Sequence, residues 1–359
     1  MAAQAMKRDY SLVGTEAQAA RTKGLVSGQW YACPVPRKTL KEFMRRSDGP
    51  ALRDTLIWFG ASAASGALGF HFWGSWAALP FFLVYGVLYG SASDSRWHEC
   101  GHGTAFKTRW LNDVVYHIAC FMILREPTIW RWSHTRHHTD TIIVGRDPEI
   151  LAMRPPDVAV LVLNLFALVS GYKAIKHLFL HAARRLSAEE ATFVPEMERA
   201  KVYFVARVYL AVFALVIAAC VYAGSILPAM YIGLPTFYGA WLSVYFGVTQ
   251  HTGLAEDVLD HRLNSRTIRM NPIFRFIYWN MNYHVEHHMF PMVPYHALPR
   301  LHEAIKQDCP AAYPSTIAAY REILPAIARQ LGDPTYFVRR ELPVGARSEP
   351  AGAPTLAAQ

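Results

Sequence analysis

Two long stretches of the chain, residues 55–93 and 208–255, contain no aspartate, glutamate, lysine or arginine. A helix needs about 20 apolar residues to cross roughly 30 Å of hydrocarbon, so each stretch is long enough for two crossings. Glycine-serine pairs at 74–75 and 224–225 mark a turn inside each stretch. The pattern predicts four transmembrane helices in two hairpins, at about 55–73, 76–93, 203–223 and 228–249. Two buried hairpins in a soluble core are the alternative, but helices in water rarely stay uncharged on every face.

The remaining segments divide the chain into three parts. Residues 1–50 are polar and basic and predict a cytoplasmic N-terminal arm, residues 51–341 form the membrane domain, and residues 342–359 have the composition of a disordered tail. Within the domain, residues 156–190 combine a short uncharged run with a basic amphipathic one, so we expect helices lying on the membrane surface. No cleavable signal peptide is visible, and we expect the first span to direct insertion.

The distribution of charge predicts how the spans are oriented in the membrane. Hydrophobic residues make up 52% of the chain and charged residues 18%, and the net charge is +9. The positive-inside rule places the basic flanks, and with them both termini, in the cytoplasm. This charge alone would suit anionic lipid, an acidic redox partner or nucleic acid. The apolar stretches favour the membrane, and we expect no nucleic-acid partner.

Sixteen histidines are present, and several have helical spacing. The motif HECGH places two of them on one helix face, and the motifs HTRHH and HVEHH each place three on one face. A further histidine ends the fourth predicted span. Because all these groups fall on the predicted cytoplasmic side, we expect them to converge as metal ligands: His98, His102, His134, His137, His138, His251, His284, His287 and His288.

The number of histidines bears on the metal. HECGH alone matches the zinc motif of metallohydrolases, with Glu99 as general base, but such a site uses three protein ligands. Eight or nine imidazoles suit two metal ions instead, and imidazole binds Fe, Cu and Zn. Two irons could activate O2, which zinc cannot do. Copper stays open, although no Met- or Cys-rich ligand set lies near these motifs. The five cysteines form no CxxC pair, which argues against a disulfide framework and a fused iron–sulfur cluster.

Over residues 50–310 the chain resembles the membrane fatty-acid desaturase/hydroxylase superfamily, whose three histidine boxes match HECGH, HTRHH and HVEHH in order. The stretches HECGHGTAFKTRWLND, WRWSHTRHHTDTIIVGRDPE, QHTGLAEDVLDHRLNSRT and NMNYHVEHHMFPMVPYHALP are most similar to one branch, the bacterial rhizopine-catabolism hydrocarbon oxygenases. His251 also matches an extra histidine of alkane-hydroxylase relatives. The resemblance implies an all-α integral membrane fold, with four transmembrane helices and a helical cytoplasmic cap that holds a di-iron site, in a bacterial inner membrane.

The resemblance also implies an activity. Two Fe ions with O2 as co-substrate would hydroxylate, O-demethylate or desaturate an unactivated C–H substrate, either an apolar molecule or a small methoxylated one. Electrons would come from an external ferredoxin and its reductase. A Rieske-type protein is one form that this ferredoxin could take. A fatty-acyl or lipid desaturase proper is one alternative, and a membrane zinc metallohydrolase using HECGH belongs to another class.

Acidic residues near the histidine motifs are candidates to orient ligand rings, because a ligating imidazole usually donates its other N–H to an acceptor. A plain salt-bridge role is an equal alternative for each: Asp140, Asp147, Glu149, Asp257, Glu286 and Glu99. His177 and His181 are also four residues apart, and we expect this pair to be solvated. We expect His71, His117, His261, His296 and His302 to have no metal role.

Overall fold

A computed structural model describes residues 8–346 of the 359-residue chain, and the predicted tail at 342–359 lies mostly outside this range. Within it the structure is helical and has no strand, only isolated β-bridges between Thr267 and Tyr283 and between Ile268 and Tyr313. The α-helices, in chain order, are α1 Thr15–Thr22, α2 Arg37–Phe43, α3 Asp48–His71, α4 Ala78–Gly86, α5 Ala92–Gly101, α6 Arg109–Met122, α7 Pro127–Thr139, α8 Val158–Asn164, α9 Leu168–Ala182, α10 Arg199–Ala223, α11 Leu227–Tyr231, α12 Leu234–Tyr238, α13 Trp241–His251, α14 His261–Asn264, α15 Pro272–Ile277, α16 His284–Met289, α17 Leu298–Ile305 and α18 Thr316–Gly332.

The apolar stretches are helical, but they are not four equivalent helices. Among the described residues one helix, Glu196–Ala223, is long and apolar enough to cross a membrane, with a mean hydropathy of 2.5. It contains the predicted third span. Helices α8 and α9, for which we expected a surface position, pass the same test only together, and they are bent by 77°. Helix α3 has the length of a span, but glycine, alanine and serine dilute its apolar character.

The second and fourth predicted spans are interrupted. The second runs through α4 and a π-helical turn at Val87–Ser91 and ends in the first residues of α5, and charged side chains follow directly after it. The fourth is divided among α11, α12 and α13, because Gly233 takes a positive φ of 100° and Pro235 follows it. A proline lacks the N–H that continues a helical ladder, and glycine readily adopts positive φ, so both residues favour a break here.

These two interrupted segments touch through their backbones. A Cβ built on Gly239 would lie 1.8 Å from the carbonyl oxygen of Gly86, so only glycine fits at this position. The Ser91 hydroxyl donates to the Gly239 carbonyl oxygen at 2.5 Å and accepts from the backbone N–H of Ser243 at 2.9 Å. This contact lies about two to three turns before the histidines at the ends of α5 and α13, and it fixes the relative positions of the two helices.

A buried arginine attaches α5 to the end of α15, about 180 residues farther along the chain. Arg96 is fully buried, and its guanidinium donates to the Ile277 carbonyl oxygen at 2.7 Å and to the Ala92 carbonyl oxygen at 3.0 Å. The same group lies over the rings of Trp58 and Trp279, at 5.2 and 4.9 Å from their centroids. Cation–π contacts of this kind are strongest when desolvated. Arg96 therefore holds α5 close to the segment that leads into α16.

The described part of the N-terminal arm is packed onto the domain. Arg8 pairs with Glu256 at 3.0 Å and also with Asp257, while the Tyr10 hydroxyl donates to Glu256 at 2.7 Å. Farther along, Tyr31 is buried and its hydroxyl donates to Asp308. These partners are more than 240 residues away in sequence, so the arm packs against segments from the C-terminal third of the chain.

Candidate metal centre

Four segments bring the predicted histidines to one place. Helix α5 ends at HECGH, with His98 on its last turn and His102 at its C-cap. Helix α7 carries HTRHH; it starts with Pro127 at its first turn, and the Glu126 side chain accepts from the Ile129 N–H at 2.7 Å as its N-cap. His251 is the last residue of α13, and α16 consists of HVEHH and one further residue. All nine predicted histidines meet among these elements.

The nine rings form two sets. One set has five members and the other four, and within each set the potential ligand nitrogens all lie within 4.8 Å of one another: His98, His102, His134, His138 and His287 in the first, and His137, His251, His284 and His288 in the second. The sets are adjacent, because the rings of His138 and His288 stack with centroids 4.3 Å apart. The two HxxHH motifs are thus divided between the sets, with His137 separated from its neighbours on α7.

The separations between nitrogens fit ligands that share an ion. Nε2 of His98 lies 2.7 Å from Nε2 of His287, and Nε2 of His134 lies 3.1 Å from that of His102. In the second set, Nε2 of His284 lies 2.9 Å from Nε2 of His251. Two nitrogens about 2.1 Å from one ion, at right angles, are about 3 Å apart. These separations therefore match those of neighbouring ligands on one ion.

Neighbouring acceptors fix which ring nitrogen carries the proton. The Nδ1 atoms of His134, His137 and His251 lie 3.0 Å from Glu149, 2.9 Å from Asp147 and 2.7 Å from the Asn264 carbonyl oxygen. An ionised carboxylate or a carbonyl only accepts, so each Nδ1 donates and each Nε2 keeps its lone pair. These lone pairs face the other rings of their sets. A group of lone pairs directed at one point is the donor arrangement of a metal site.

Burial favours the neutral, ligating form of these rings. Desolvation holds the pKa well below its usual value at six positions, which are His98, His134, His138, His284, His287 and His288. It lowers the pKa of His102 to about 4 and that of His251 to about 3. For His137 desolvation is again the largest effect, but the charge and hydrogen bond of Asp147 and the charge of Glu149 together outweigh it and raise the pKa. Desolvation therefore favours the uncharged, ligating form at eight of the nine positions.

A cavity of about 210 Å³ opens beside both sets. His98 of the first set and His137 and His251 of the second line it, so a molecule inside would lie next to either metal position. Its other walls combine aromatic and aliphatic side chains with charged or polar ones: Trp97, Trp130, Ile142, Ile150, Leu151, Val244, Leu254, Asp94, Arg125, Glu149, Arg154, Gln250 and Glu256. The Arg125 guanidinium lies 4.2 Å from the ring centroid of Trp97 and 3.8 Å from that of Trp130. This cation–π stack gives one wall a rigid, partly charged face.

Of the acidic candidates, two contact a clustered histidine directly. These are Asp147 and Glu149, as described; burial raises the pKa of Glu149 to about 7, and a cation nearby would favour its charged form. The others have different partners. Asp140 pairs with Arg146 at 2.9 Å, and Asp257 pairs with Arg8 and accepts from the Val144 N–H at 2.9 Å. Glu286 accepts from Thr267 at 2.6 Å and pairs with His302.

Glu99 points away from both sets. Its Oε1 accepts from the Thr104 hydroxyl at 2.8 Å and from the Tyr295 backbone N–H at 2.9 Å, and the side chain is fully buried. Desolvation raises its pKa to about 7. Glu99 thus joins α5 to the loop before α17, and it is absent from the groups of metal-ligand atoms among residues 8–346.

Several contributions were not apparent from the sequence. The Asn264 carbonyl is a backbone group, so no side-chain signal marks it. Thr141 lies 3.2 Å from Nδ1 of His288 through its hydroxyl, and its position just after HTRHH was the available signal. His261, for which we expected no metal role, belongs to no group of ligand atoms among the described residues, but its ring centroid lies 5.1 Å from that of His288 and 4.2 Å from that of Trp30.

The expectation that His177 and His181 are solvated is wrong for one of them. His181 is buried, and Glu190 lies against both rings. The sequence spacing showed only that the two rings share a face of a helix. The acidic partner lies beyond a turn of the chain, so helical periodicity could not reveal it.

Comparisons with known proteins agree with this geometry. A family model described as fatty acid desaturase matches residues 74–320. An sn-1 oleoyl-lipid 12-desaturase of Synechocystis sp. is 34% identical over 105 residues, which are 29% of this chain and 29% of that protein. The Delta(12) fatty acid desaturase fat-2 of Caenorhabditis elegans is 36% identical over 21% of this chain and 20% of that protein. An sn-1 acyl-lipid omega-3 desaturase (ferredoxin) of Nostoc sp. is 36% identical over 20% of each.

The matched region spans less than a third of the length of these curated relatives. The family model is more extensive. It covers well over half of the chain, and it includes both histidine sets, the cavity and the acids that orient His134 and His137. On this match the chain belongs to the fatty acid desaturase family.

Proposed function

We propose that the protein is an O2-dependent di-iron membrane oxidoreductase that hydroxylates an unactivated C–H bond. The division of nine histidines, six buried and three half-buried, into adjacent sets of five and four carries this proposal. Each set offers one ion an almost purely imidazole environment, and imidazole suits iron. Membership of the desaturase family supports iron over zinc or copper.

Two iron ions in these sets would supply the activation of dioxygen and the removal of a hydrogen atom from carbon. In hydroxylation, R–H, O2, two electrons and two protons give R–OH and water. Loss of two hydrogens from adjacent carbons would instead give a double bond and two waters. Hydroxylation at a methoxy carbon gives a hemiacetal that releases an aldehyde, which is O-demethylation. All three outcomes need the same site and differ in how the substrate lies.

The side chains of this protein would hold the site in its reactive geometry. Asp147, Glu149 and the Asn264 carbonyl orient their imidazoles and keep the Nε2 lone pairs directed inward. Six of the nine rings are buried and three are half-buried, which would limit the access of bulk water that competes for metal positions. The cavity wall formed by Trp97, Trp130 and Arg125 would position the substrate beside His98 and His137.

The cavity supports a small, partly polar substrate. Drug-sized ligands occupy pockets of about 300–1,000 Å³, and this cavity has about 210 Å³ with charged side chains in its wall. A small metabolite with polar and apolar parts, such as a methoxylated one, fits this volume and mixed lining better than a long acyl chain does. We therefore propose hydroxylation or O-demethylation, and with it the rhizopine-catabolism branch, as the activity of this chain.

We propose that electrons come from an external ferredoxin and its reductase. The relative from Nostoc carries ferredoxin in its name. The five cysteines of this chain are unpaired, and none belongs to a group of metal-ligand atoms among the described residues. The net charge of +9 would attract an acidic donor protein to the cap.

We propose the membrane arrangement given by the hydrophobic pattern. It has four spans, a cytoplasmic cap made by the polar segments, and both termini on the cytoplasmic side of a bacterial inner membrane. The domain of residues 51–341 would contain spans and cap together, between the arm of residues 1–50 and the tail of residues 342–359. The apolar helix Glu196–Ala223, with 11% of its most apolar part buried, supports at least one crossing.

A lipid desaturase is the second candidate, because the curated relatives described above are named as desaturases of lipid or fatty-acyl substrates. A metallohydrolase at HECGH has less support. Its base would have to face the metal, whereas Glu99 is hydrogen bonded to Thr104 and to the backbone of Tyr295.

The proposal is tested by metal analysis and turnover of the purified protein. In detergent, elemental analysis should give two irons per chain. With reduced ferredoxin, O2 and a methoxylated substrate, mass spectrometry with 18O2 should find labelled oxygen in the product or in the released aldehyde. One zinc per chain without iron would reject the di-iron proposal. Two irons with double-bond formation in a lipid substrate would favour the second candidate.

A further inference from the structure

A third group of ligand-type side chains lies apart from the histidine sets. His177 and His181 share a face of α9, and Glu190 follows in a 3-10 turn at Glu190–Thr192. Nδ1 of His177 lies 2.8 Å from Oε1 of Glu190, and Nε2 of His181 lies 3.1 Å from the same oxygen. The three potential ligand atoms lie within 4.8 Å of one another.

Glu190 is held in place independently of the histidines. Its Oε2 accepts from the backbone N–H of Ser187 at 2.8 Å, while the Ser187 hydroxyl accepts from the Glu190 backbone N–H at 3.1 Å. This reciprocal pair is a capping box, which fixes the side chain at the start of a helical turn. Oε2 is thus engaged by the backbone, and Oε1 is directed at the two rings.

The group is buried on one side and open on the other. The side chains of His181 and Glu190 are 3% and 9% exposed, whereas that of His177 is 36% exposed. A buried carboxylate is costly unless a positive charge or hydrogen bonds compensate it. An ion at this position would have three protein ligands and would keep a free position toward solvent, where water could bind.

The ligand set selects the class of ion. Two imidazoles and one carboxylate with an open position are typical of Zn²⁺. Ligand atoms around a tetrahedral zinc are roughly 3.4 Å apart, so the observed 2.8 and 3.1 Å require a small opening of the group. The exposed ring of His177 can rotate outward to provide it. Neither histidine set contributes to this group.

The group joins α9 to a segment that packs against α7. After Glu190 the chain continues to Thr192, whose hydroxyl accepts from Arg136 at 2.7 Å, and to Val194, which packs in a core with Ile129. Arg136 and Ile129 are both on α7, the helix that carries HTRHH. A link between α9 and the segment of Thr192 and Val194 would therefore stabilise the position of α7.

We propose that His177, His181 and Glu190 bind a single zinc-class divalent cation, separate from the two histidine sets, which fastens α9 to residues 187–194. The role is structural. The ion would replace a flexible ion pair by coordination bonds and would leave the metal positions of the two sets unchanged.

The test measures zinc in the purified full-length protein. Wild type, His177→Ala, Glu190→Gln and the control His117→Ala are exposed to excess Zn²⁺, desalted and analysed for zinc and iron together. His117 is an exposed histidine on α6 that belongs to no ligand group among residues 8–346. We expect wild type and the control to bind one equivalent of zinc more than His177→Ala and Glu190→Gln do, with equal iron in all four.

The readout is the difference between wild type and the two variants, so it holds even if the histidine sets contain a metal other than iron. Added Zn²⁺ should also raise the thermal unfolding temperature of wild type but not that of His177→Ala. Equal zinc in wild type and His177→Ala would overturn the proposal. So would zinc uptake that is matched by an equal loss of iron, since the zinc would then occupy the histidine sets.

Discussion

Nδ1 of His137 lies 2.9 Å from one carboxylate oxygen of Asp147 and 3.0 Å from the other, and both side chains are buried. Asp147 is itself fixed by backbone N–H groups, from Ile142 at 2.7 Å and from Glu149 at 2.8 Å. A loop thus holds the carboxylate, and the carboxylate holds the ring. The position of one proposed ligand depends on a turn whose aspartate lies 10 residues farther along the chain.

Replacing Asp147 tests this dependence. In Asp147→Asn the amide no longer supplies the charge that stabilises His137 as an Nδ1 donor. Loss of such a partner typically costs about 10–100-fold in metal affinity, so we expect iron to fall from two toward one per chain after dialysis against a weak chelator. Asp140→Asn is the matched control, because Asp140 is also buried but pairs with Arg136 and Arg146. Equal iron in the two variants would contradict the assignment.

His251 provides a test of the second histidine set. It is one of four ligands there, whereas the first set has five. We expect His251→Ala to lose about one iron per chain and at least 100-fold in turnover, while the first set keeps its ion. His296→Ala is the control, because His296 lies in no group of ligand atoms in the described part of the chain. Retention of both irons in His251→Ala would remove His251 from the site.

Glu99 and His287 separate the two enzyme classes. In an oxygenase, Glu99→Gln should keep most of its turnover, since the amide oxygen can still accept from Thr104 and Tyr295. His287→Ala should lose iron and activity, because His287 faces His98 at 2.7 Å. A metallohydrolase would show the reverse order. We would measure the turnover and the iron content of both variants, after checking that their thermal unfolding temperatures are equal. The two measurements together distinguish an oxygenase from a metallohydrolase.

The sequence was sufficient to predict which histidines meet, but not how they divide into two sets. Helical spacing predicts that His134, His137 and His138 share a face. It cannot show that His137 belongs to the second set, because that depends on how α7 approaches α13 and α16. The same limit applies to the acids. Asp140 is closer to HTRHH in sequence than Asp147 is, yet Asp147 faces a histidine and Asp140 faces two arginines.

The fold shows a similar limit. The charge-free stretches predicted helical segments, and the structure has helices there. Hydropathy averages along the chain and does not register a single backbone torsion, so it could not show the break at Gly233 or the π-helical turn before α5. A capping box at Ser187 and Glu190 was present in the sequence, and it was the one signal for an acid beside His177 and His181.

Gly239 offers a test of the contact between the interrupted segments. A methyl group there would meet the Gly86 carbonyl oxygen at 1.8 Å, so Gly239→Ala must move one backbone away from the other. Overpacking typically costs about 1–3 kcal/mol, and we expect a lower thermal unfolding temperature and less bound iron. Gly60→Ala is the control. Gly60 lies in α3 with nothing within 4 Å of the added atom, so alanine should be neutral or stabilise by up to about 1 kcal/mol. Equal melting temperatures would contradict the close approach.

The packing of the N-terminal arm has a consequence for biosynthesis. Arg8 leaves the ribosome 248 residues before its partner Glu256. At about 5–20 residues per second, the arm waits roughly 12–50 s for the surface it covers. During that interval its basic side chains are free, and both apolar stretches are translated. The arm can therefore dock only after those stretches have left the ribosome, which makes its closure a late event in the maturation of the protein.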